Sequence, residues 1–167
     1  YNDFIIIGPS SDKANVSTST SVEDAFNRIY EKKSRFISRA DSSGTHSSDM
    51  DIWDRLKLDP AMYSGEWYLE SGQGMGTSRN IAISLNAYTF SDRSTWLRYQ
   101  NKGNHKILYE NASELRNNYG MILVNPEKCP NLNHESSSKL YKWLASEDAA
   151  KLIKNYRISN TQVFYID

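Results

Sequence analysis

Short apolar runs alternating with stretches of helical spacing constrain this chain more than any other feature. Phe4-Ile5-Ile6-Ile7 is too short for a helix and is stopped by Gly8-Pro9, the pattern of a buried strand. A polar, Ser-rich loop spans Ser10 to Ser19. Thr20-Ser21-Val22-Glu23 has capping-box spacing, and Val22, Ala25, Phe26, Ile29 and Tyr30 then share one helical face. Lys32 and Lys33 suit the negative end of that helix. Arg35 to Ser38 reads as a second short strand. Met50, Trp53 and Leu56 follow at helical spacing and end near Asp59-Pro60.

The same alternation continues. Trp67-Tyr68 precedes a glycine-rich turn, Gly72 to Gly76, and a helix with Ile81, Ala82 and Leu85 on its inner face. Tyr88-Thr89-Phe90 reads as a strand, Ser91-Asp92-Arg93 as a cap, and Thr95 to Tyr99 as a short helix. Ile107-Leu108-Tyr109 and Tyr119 to Val124 read as strands, the latter stopped by Asn125-Pro126. After the polar loop Glu127 to Glu135, helices are expected around Leu140, Trp143 and Leu144 and around Ala149, Leu152, Ile153 and Tyr156. Gln162 to Ile166 closes as a strand. Such alternation predicts an α/β fold, a sheet with helices packed on it.

Composition removes several function classes. The chain has 167 residues, enough for one sizeable domain or two small lobes. Its formal net charge is zero, without the basic excess of a nucleic-acid binder. No run is long enough to span a bilayer, and no basic amphipathic stretch suits a membrane surface. Cys129 is the single cysteine, so it forms no internal disulfide and no thiolate cluster. The three histidines, His46, His105 and His134, lack metal-ligand spacing. No metal or cofactor is expected. The chain opens at Tyr1 directly before a strand-like run, without Met or a visible signal peptide. It therefore reads as a mature, trimmed or excised piece.

The chemistry concentrates in Ser38 to His46, between the second strand and the helix after it. Arg39 carries a permanent charge and can grip an oxyanion through parallel N–H bonds. Ser42, Ser43 and Thr45 offer hydroxyls, and Gly44 lets backbone N–H groups approach closely. The helix starting about Thr45 directs its free N–H groups and positive end at the same spot. Together these describe an anion site at a helix N-terminus. Plain capping is the competing reading, since Ser, Asp and Thr are ordinary caps. Arg39 tips the balance, because a cap needs no cation. Asp41 would repel an anion, and is expected to cap the turn or pair with Arg39.

Other features count for less. Gly72 to Gly76 could bring backbone donors from Gln73 and Gly74 to the same cleft, but lacks the Lys-Ser/Thr ending of a phosphate loop. Ser43, His46 and Asp49 are too close in sequence for a hydrolase triad, and no Gly-x-Ser-x-Gly elbow surrounds the serine. Trp53 and Trp96 have the spacing of core residues. Asn15-Val16-Ser17 and Asn111-Ala112-Ser113 match the glycosylation pattern, which matters only in a eukaryotic secreted protein.

Taken in order, Asn2 to Pro9, Phe36 to His46, Trp53, Trp67-Tyr68, Gly72-Gln73-Gly74-Met75-Gly76, Ala87 to Arg93 and Asn117-Asn118-Tyr119 resemble the periplasmic tungstate-binding proteins of ABC importers. The resemblance covers nearly the whole chain. It implies a type II periplasmic-binding-protein-like fold and a non-enzymatic role outside the cytoplasm, in the periplasm or beyond. It also implies an ABC permease as partner and tungstate or molybdate as ligand. Arg39, Ser43, Gly44 and Thr45 are the oxyanion contacts it implies, with Ser42, Gln73 and Gly74 as possible additions. The alternative is an oxyanion-sensing effector domain of a regulatory protein. Two departures stand out. The family usually has Gly where this chain has Ala40, and its Thr/Ser-rich loop near the mature N-terminus is missing here. The chain thus looks like the second lobe. Residues 1–8 would be a first crossing strand, 9–117 the second lobe, and 118–167 the return strand and C-terminal helices of the first lobe.

Overall fold

In the computed structural model, residues 1–166 are described. Strand β1 (Asn2–Pro9) is buried along its whole length. Its isoleucines alternate between two cores, Phe4 and Ile6 on one face and Ile5 and Ile7 on the other. A strand apolar on both faces needs cover on both, and this sheet has it.

The other strands are β2 (Phe36–Ser38), β3 (Tyr68–Glu70), β4 (Tyr88–Asp92), β5 (His105–Glu110) and β6 (Arg116–Asn117). The main order is β3-β2-β4-β1-β5. β2 runs parallel to β3 and β4, whereas β1 runs antiparallel to β4 and β5. The C-terminal ends of β2, β3 and β4 therefore lie along one edge, and each is followed by a helix. These helices are α2 (Gly44–Arg55), α3 (Met75–Ser84) and α4 (Arg93–Arg98).

Helix α1 (Val22–Glu31) and α2 cover one face of the sheet. Val22, Ala25, Phe26 and Ile29 of α1 meet Ile52 and Trp53 of α2 over Phe36, Tyr68 and Phe90. Phe26 and Trp53 meet edge-on at 4.6 Å, and Phe36 with Trp53 at 5.7 Å. Full burial of side chains this size contributes roughly 1.5–3 kcal/mol each. α3 and α4 cover the opposite face, with Ala82 against Ile37 and Trp96 against Ile5 and Ile7.

The loop after β1 is organised by Asp12, whose carboxylate accepts from the N–H groups of Val16 and Ser17, the Ser17 hydroxyl and the Tyr88 hydroxyl. Burial works to raise its pKa, but these bonds outweigh burial and hold it below the usual carboxylate value.

Several expectations shift by small amounts. The cap of α1 is Ser21, accepting from Asp24 N–H, rather than Thr20. Asp24 takes the reciprocal role, accepting from Thr20 N–H at 3.0 Å. The inner face of α3 buries Ser78 and Arg79 with Ala82, while Ile81 and Leu85 are only partly buried. Asp92 caps α4 by accepting from Thr95 N–H, as its sequence context suggests.

The chain divides into two units, Asp3–Arg116, described so far, and Tyr1–Asn2 with Asn117–Asp167. The second unit holds α5 (His134–Leu144), α6 (Glu147–Asn155) and a hairpin of β7 (Arg157–Ile158) and β8 (Thr161–Gln162). Ser159 and Asn160, both at positive φ, make the hairpin turn. Within this unit the Tyr1 and Tyr165 backbones exchange two hydrogen bonds, and their rings stack at 5.3 Å.

Two expected strands fail here. The run from Tyr119 to Val124 is not a strand, and Ile122 is 93% exposed. An isolated strand leaves its backbone groups without ladder partners, and no β-ladder among the described residues includes this run. The closing strand expected at 162–166 is reduced to Thr161–Gln162. α5 forms where expected but buries nothing, with Leu140 57% and Trp143 49% exposed.

Candidate functional site

The turn after β2 forms as its residues suggest. α2 starts at Gly44, one residue earlier than expected, with Ser43 as N-cap. The Ser43 hydroxyl oxygen accepts from His46 N–H at 3.2 Å. Arg39 leaves the strand end and reaches across the turn. Its Nη1 donates to the Thr45 hydroxyl oxygen at 3.3 Å, and its Nη2 pairs with Asp41. Asp41 does both jobs open to it, because its other oxygen accepts from Ser43 N–H at 3.2 Å. Burial works to raise the Asp41 pKa, but bonds from Ser43 and Arg39 outweigh it and hold the carboxyl below its usual value.

Ala40 and Ser42 both sit in the left-handed region, at φ 48° and φ 55°. That conformation crowds Cβ against the following carbonyl, so it favours Gly. Gly44, in contrast, has ordinary backbone angles, and a Cβ there would meet open space. The first turn of α2 therefore faces open space at this position. The N–H groups of Gly44 and Thr45 fall in that turn, where no intrahelical acceptor exists.

The turn after β3 adjoins the first. Ser71 N–H donates to the Ser38 carbonyl at 3.0 Å, and the Ser71 hydroxyl donates to the Arg39 carbonyl at 3.2 Å. Ser71 and Ser78 hydroxyls lie 2.8 Å apart, and Ser78 Oγ also donates toward the Gln73 and Gly74 carbonyls. Gly74, the N-cap of α3, supplies no side-chain cap, so this helix start keeps its positive end uncovered. Gln73 and Gly74 therefore stand beside the Arg39 turn, with Gln73 exposed.

Each of these two helices carries a buried charge-bearing residue that the sequence does not place at the site; Asp49 enters there only as a member of the rejected triad, and Arg79 is not singled out. In α2 it is Asp49, one turn below Thr45 and 1% exposed. Its Oδ2 accepts from the Ser38 hydroxyl at 3.0 Å, while its Oδ1 is buried with no hydrogen-bond partner. Ser38 Oγ also lies 3.1 Å from His46 Nδ1, which sits 3.7 Å from Asp49 Oδ1. Burial pushes the Asp49 pKa up to about 7, against the Ser38 bond and the Arg39 charge. Ser43, His46 and Asp49 do not form a triad. The hydroxyl facing Asp49 is that of Ser38, and it lies between the acid and the imidazole.

In α3 the buried residue is Arg79, 3% exposed. Its Nε donates to the Met75 carbonyl at 3.2 Å, its guanidinium lies 4.5 Å from the Tyr99 ring centre, and Nη1 is buried without a partner. Burial lowers its pKa against the opposing charge of Asp92, with a smaller push in the same direction as burial from Arg39. Arg93, the third cation at this sheet edge, is committed elsewhere. It grips Asp3 with Nε and Nη2 and Glu110 with Nη1. An arginine three residues before Ala82 on a buried helix face was the available signal for Arg79.

The edge formed by the ends of β2, β3 and β4 thus gathers groups that can hold an anion. It joins a guanidinium with a hydroxyl, two open N–H groups, an uncapped helix start and a second buried guanidinium.

A family model described as PBP superfamily domain matches residues 1–148. The tungstate-binding protein TupA of Peptoclostridium acidaminophilum is 37% identical over 158 residues, covering 93% of this chain and 54% of that protein. The crystal structure of the tungstate ABC transporter from Geobacter sulfurreducens superposes with a TM-score of 0.82 at 36% identity, covering 93% of this chain and 65% of that one. The tungstate-binding protein TupA from Desulfovibrio alaskensis G20 gives a TM-score of 0.82 at 34% identity, covering 98% and 66%. The chain spans about half the length of the curated relatives it matches.

Proposed function

The chain belongs to the PBP superfamily, and from that premise we propose that it binds a tetrahedral oxyanion, tungstate or its near-isostere molybdate, for an ABC importer. The observation that carries this reading is the Arg39–Thr45 contact at the start of α2, above which Gly44 leaves open space. A guanidinium pre-positioned beside a hydroxyl and free helix N–H groups presents converging donors to a small anion. Asp41 holds Arg39 in the absence of ligand and is the group an anion displaces or shares. Arg39 and Thr45 are the principal donors, with the Gly44 N–H beside them. Ser43 is mainly a cap, and Ser42, Gln73 and Gly74 lie on the rim.

The relatives named for tungstate support the ligand class and a role in binding rather than catalysis. The same relatives favour transport over the effector-domain alternative. An ABC permease and a location outside the cytoplasm follow from that reading. No helix among the described residues is long and apolar enough to cross a membrane. Calorimetry with tungstate, molybdate, sulfate and phosphate tests the proposal. Saturable heat with tungstate or molybdate supports it, and no heat with any of the four overturns it.

A further inference from the structure

Beneath the anion turn lies a small network whose parts have no role in gripping a ligand. Asp49 is buried on α2 with one carboxylate oxygen bonded to Ser38 and the other bonded to nothing. An ionised carboxylate in that setting lacks the donors that normally stabilise buried charge. The groups facing it are Ser38 from β2, Arg39 and Asp41 from the turn, His46 from its own helix, and Tyr68 from β3. Arg39 is the one permanent cation among them, and Asp41 already pairs with it.

The Ser38 hydroxyl has one hydrogen and can point it either way. With Asp49 ionised, Ser38 donates to Asp49 and accepts from His46 Nδ1–H. With Asp49 protonated, the carboxyl donates to Ser38, and Ser38 donates to His46 Nδ1. Both arrangements satisfy the same heavy-atom positions, at 3.0 and 3.1 Å. The second arrangement holds one proton more than the first when the imidazole hydrogen sits on Nδ1 in the first and on Nε2 in the second, so the network gains a proton with its heavy atoms in place.

Thr45 and Asp49 are four residues apart on one helix face, so an anion on the Thr45 hydroxyl stands about one helical turn from the carboxyl. Its negative charge opposes ionisation of Asp49 and also draws on Arg39, the cation that favours it. We propose that Asp49 takes up a proton from solvent when the turn receives its oxyanion, making anion capture proton-linked. Burial, working against the Ser38 bond and the Arg39 charge, already holds the Asp49 pKa at about 7, so the response falls within the neutral range. The proposal rests on the oxyanion reading above.

Titration calorimetry with tungstate in PIPES and in imidazole, whose ionisation heats differ, counts the protons. Uptake is expected to rise from about half a proton at pH 7 toward one at pH 8, with affinity falling about tenfold per pH unit above pH 7. Asp49→Asn is expected to show no uptake and a flat pH profile, while His46→Gln keeps the uptake. A second readout needs no variant. The carboxyl 13C titration of Asp49 in the unsubstituted protein is expected to move to higher pH with tungstate. Equal heats in the two buffers, an unmoved carboxyl titration, or uptake lost in His46→Gln but kept in Asp49→Asn each overturn the proton link and leave the oxyanion reading standing. Absence of heat in every buffer, with tungstate and with the other three anions alike, overturns both.

Discussion

The starts of α2 and α3 stand side by side at one sheet edge, yet they are built in opposite ways. The α2 start is dressed. Arg39, Asp41 and Ser43 fill its turn, Ser43 caps the His46 N–H, and a carboxyl, Asp49, lies beneath. The α3 start is bare. Gly74 offers no side-chain cap, and a guanidinium, Arg79, is buried on the same helix. Specific donors are thus placed on the first, and a buried guanidinium beside an uncapped start on the second. A helix start full of polar side chains can place a ligand well but has already satisfied much of its own polarity. A bare one cannot place anything but keeps its field.

Asp49 offers the largest way to break this contrast. Its folded pKa, about 7, is raised above the unfolded value of 3.8. The folded state therefore holds a proton that the unfolded state has released, and stability falls as pH rises through that window. The expected loss is about 1.4 kcal/mol per pH unit between roughly pH 4 and pH 7 from this one group. Asp49→Asn should remove that component, which urea unfolding across the range would show. A variant with an unchanged pH slope would mean the carboxyl is ionised in the fold.

Thr45→Val keeps the shape of the α2 start and deletes one donor. Tungstate affinity is expected to fall about tenfold, the worth of one hydrogen bond to a charged group. Unchanged affinity would move the site off Thr45. Arg79→Met tests the bare side. Removing a buried guanidinium with an unpaired N–H should raise unfolding free energy by about 1 kcal/mol, since apolar replacements of buried charges are often stabilising. The same change should weaken tungstate binding about threefold through lost potential alone. Opposite signs in stability and binding are the signature. A fall in both would make Arg79 a structural residue.

Ala40→Gly is the smallest change. Ala40 sits at φ 48°, so glycine should relieve strain and raise stability by about 0.5–1 kcal/mol in thermal unfolding, with little effect on affinity. A loss of stability would show that the turn conformation is not left-handed in solution.

The dressed start was legible in the sequence, and the bare one largely was not. Arg39, Asp41, Ser43 and Thr45 act within a few residues of one another, so local chemistry announces them. The pairing of Asp41 with Arg39 followed from charge alone. Asp49 depends on Ser38 and Tyr68, which belong to two other strands, and no local pattern brings these together. Arg79 is covered by Tyr99 and by the packing of α3, contacts that no local pattern announces. In the sheet, β1 and the helix faces of α1 and α2 were readable because their apolar spacing matches the cores they fill. The run from Met121 to Val124 misled for the converse reason. Its apolarity fits a strand, but pairing is a property of neighbours, and no β-ladder among the described residues includes it.

Whether the turn from Arg39 to Thr45 grips the anion is decided most directly by tungstate calorimetry on the parent protein and Arg39→Ala side by side. The guanidinium makes charge-assisted contacts that a methyl group cannot replace, so affinity should fall at least about 100-fold with folding intact by circular dichroism. A folded Arg39→Ala protein that binds tungstate as tightly as the parent would contradict the account.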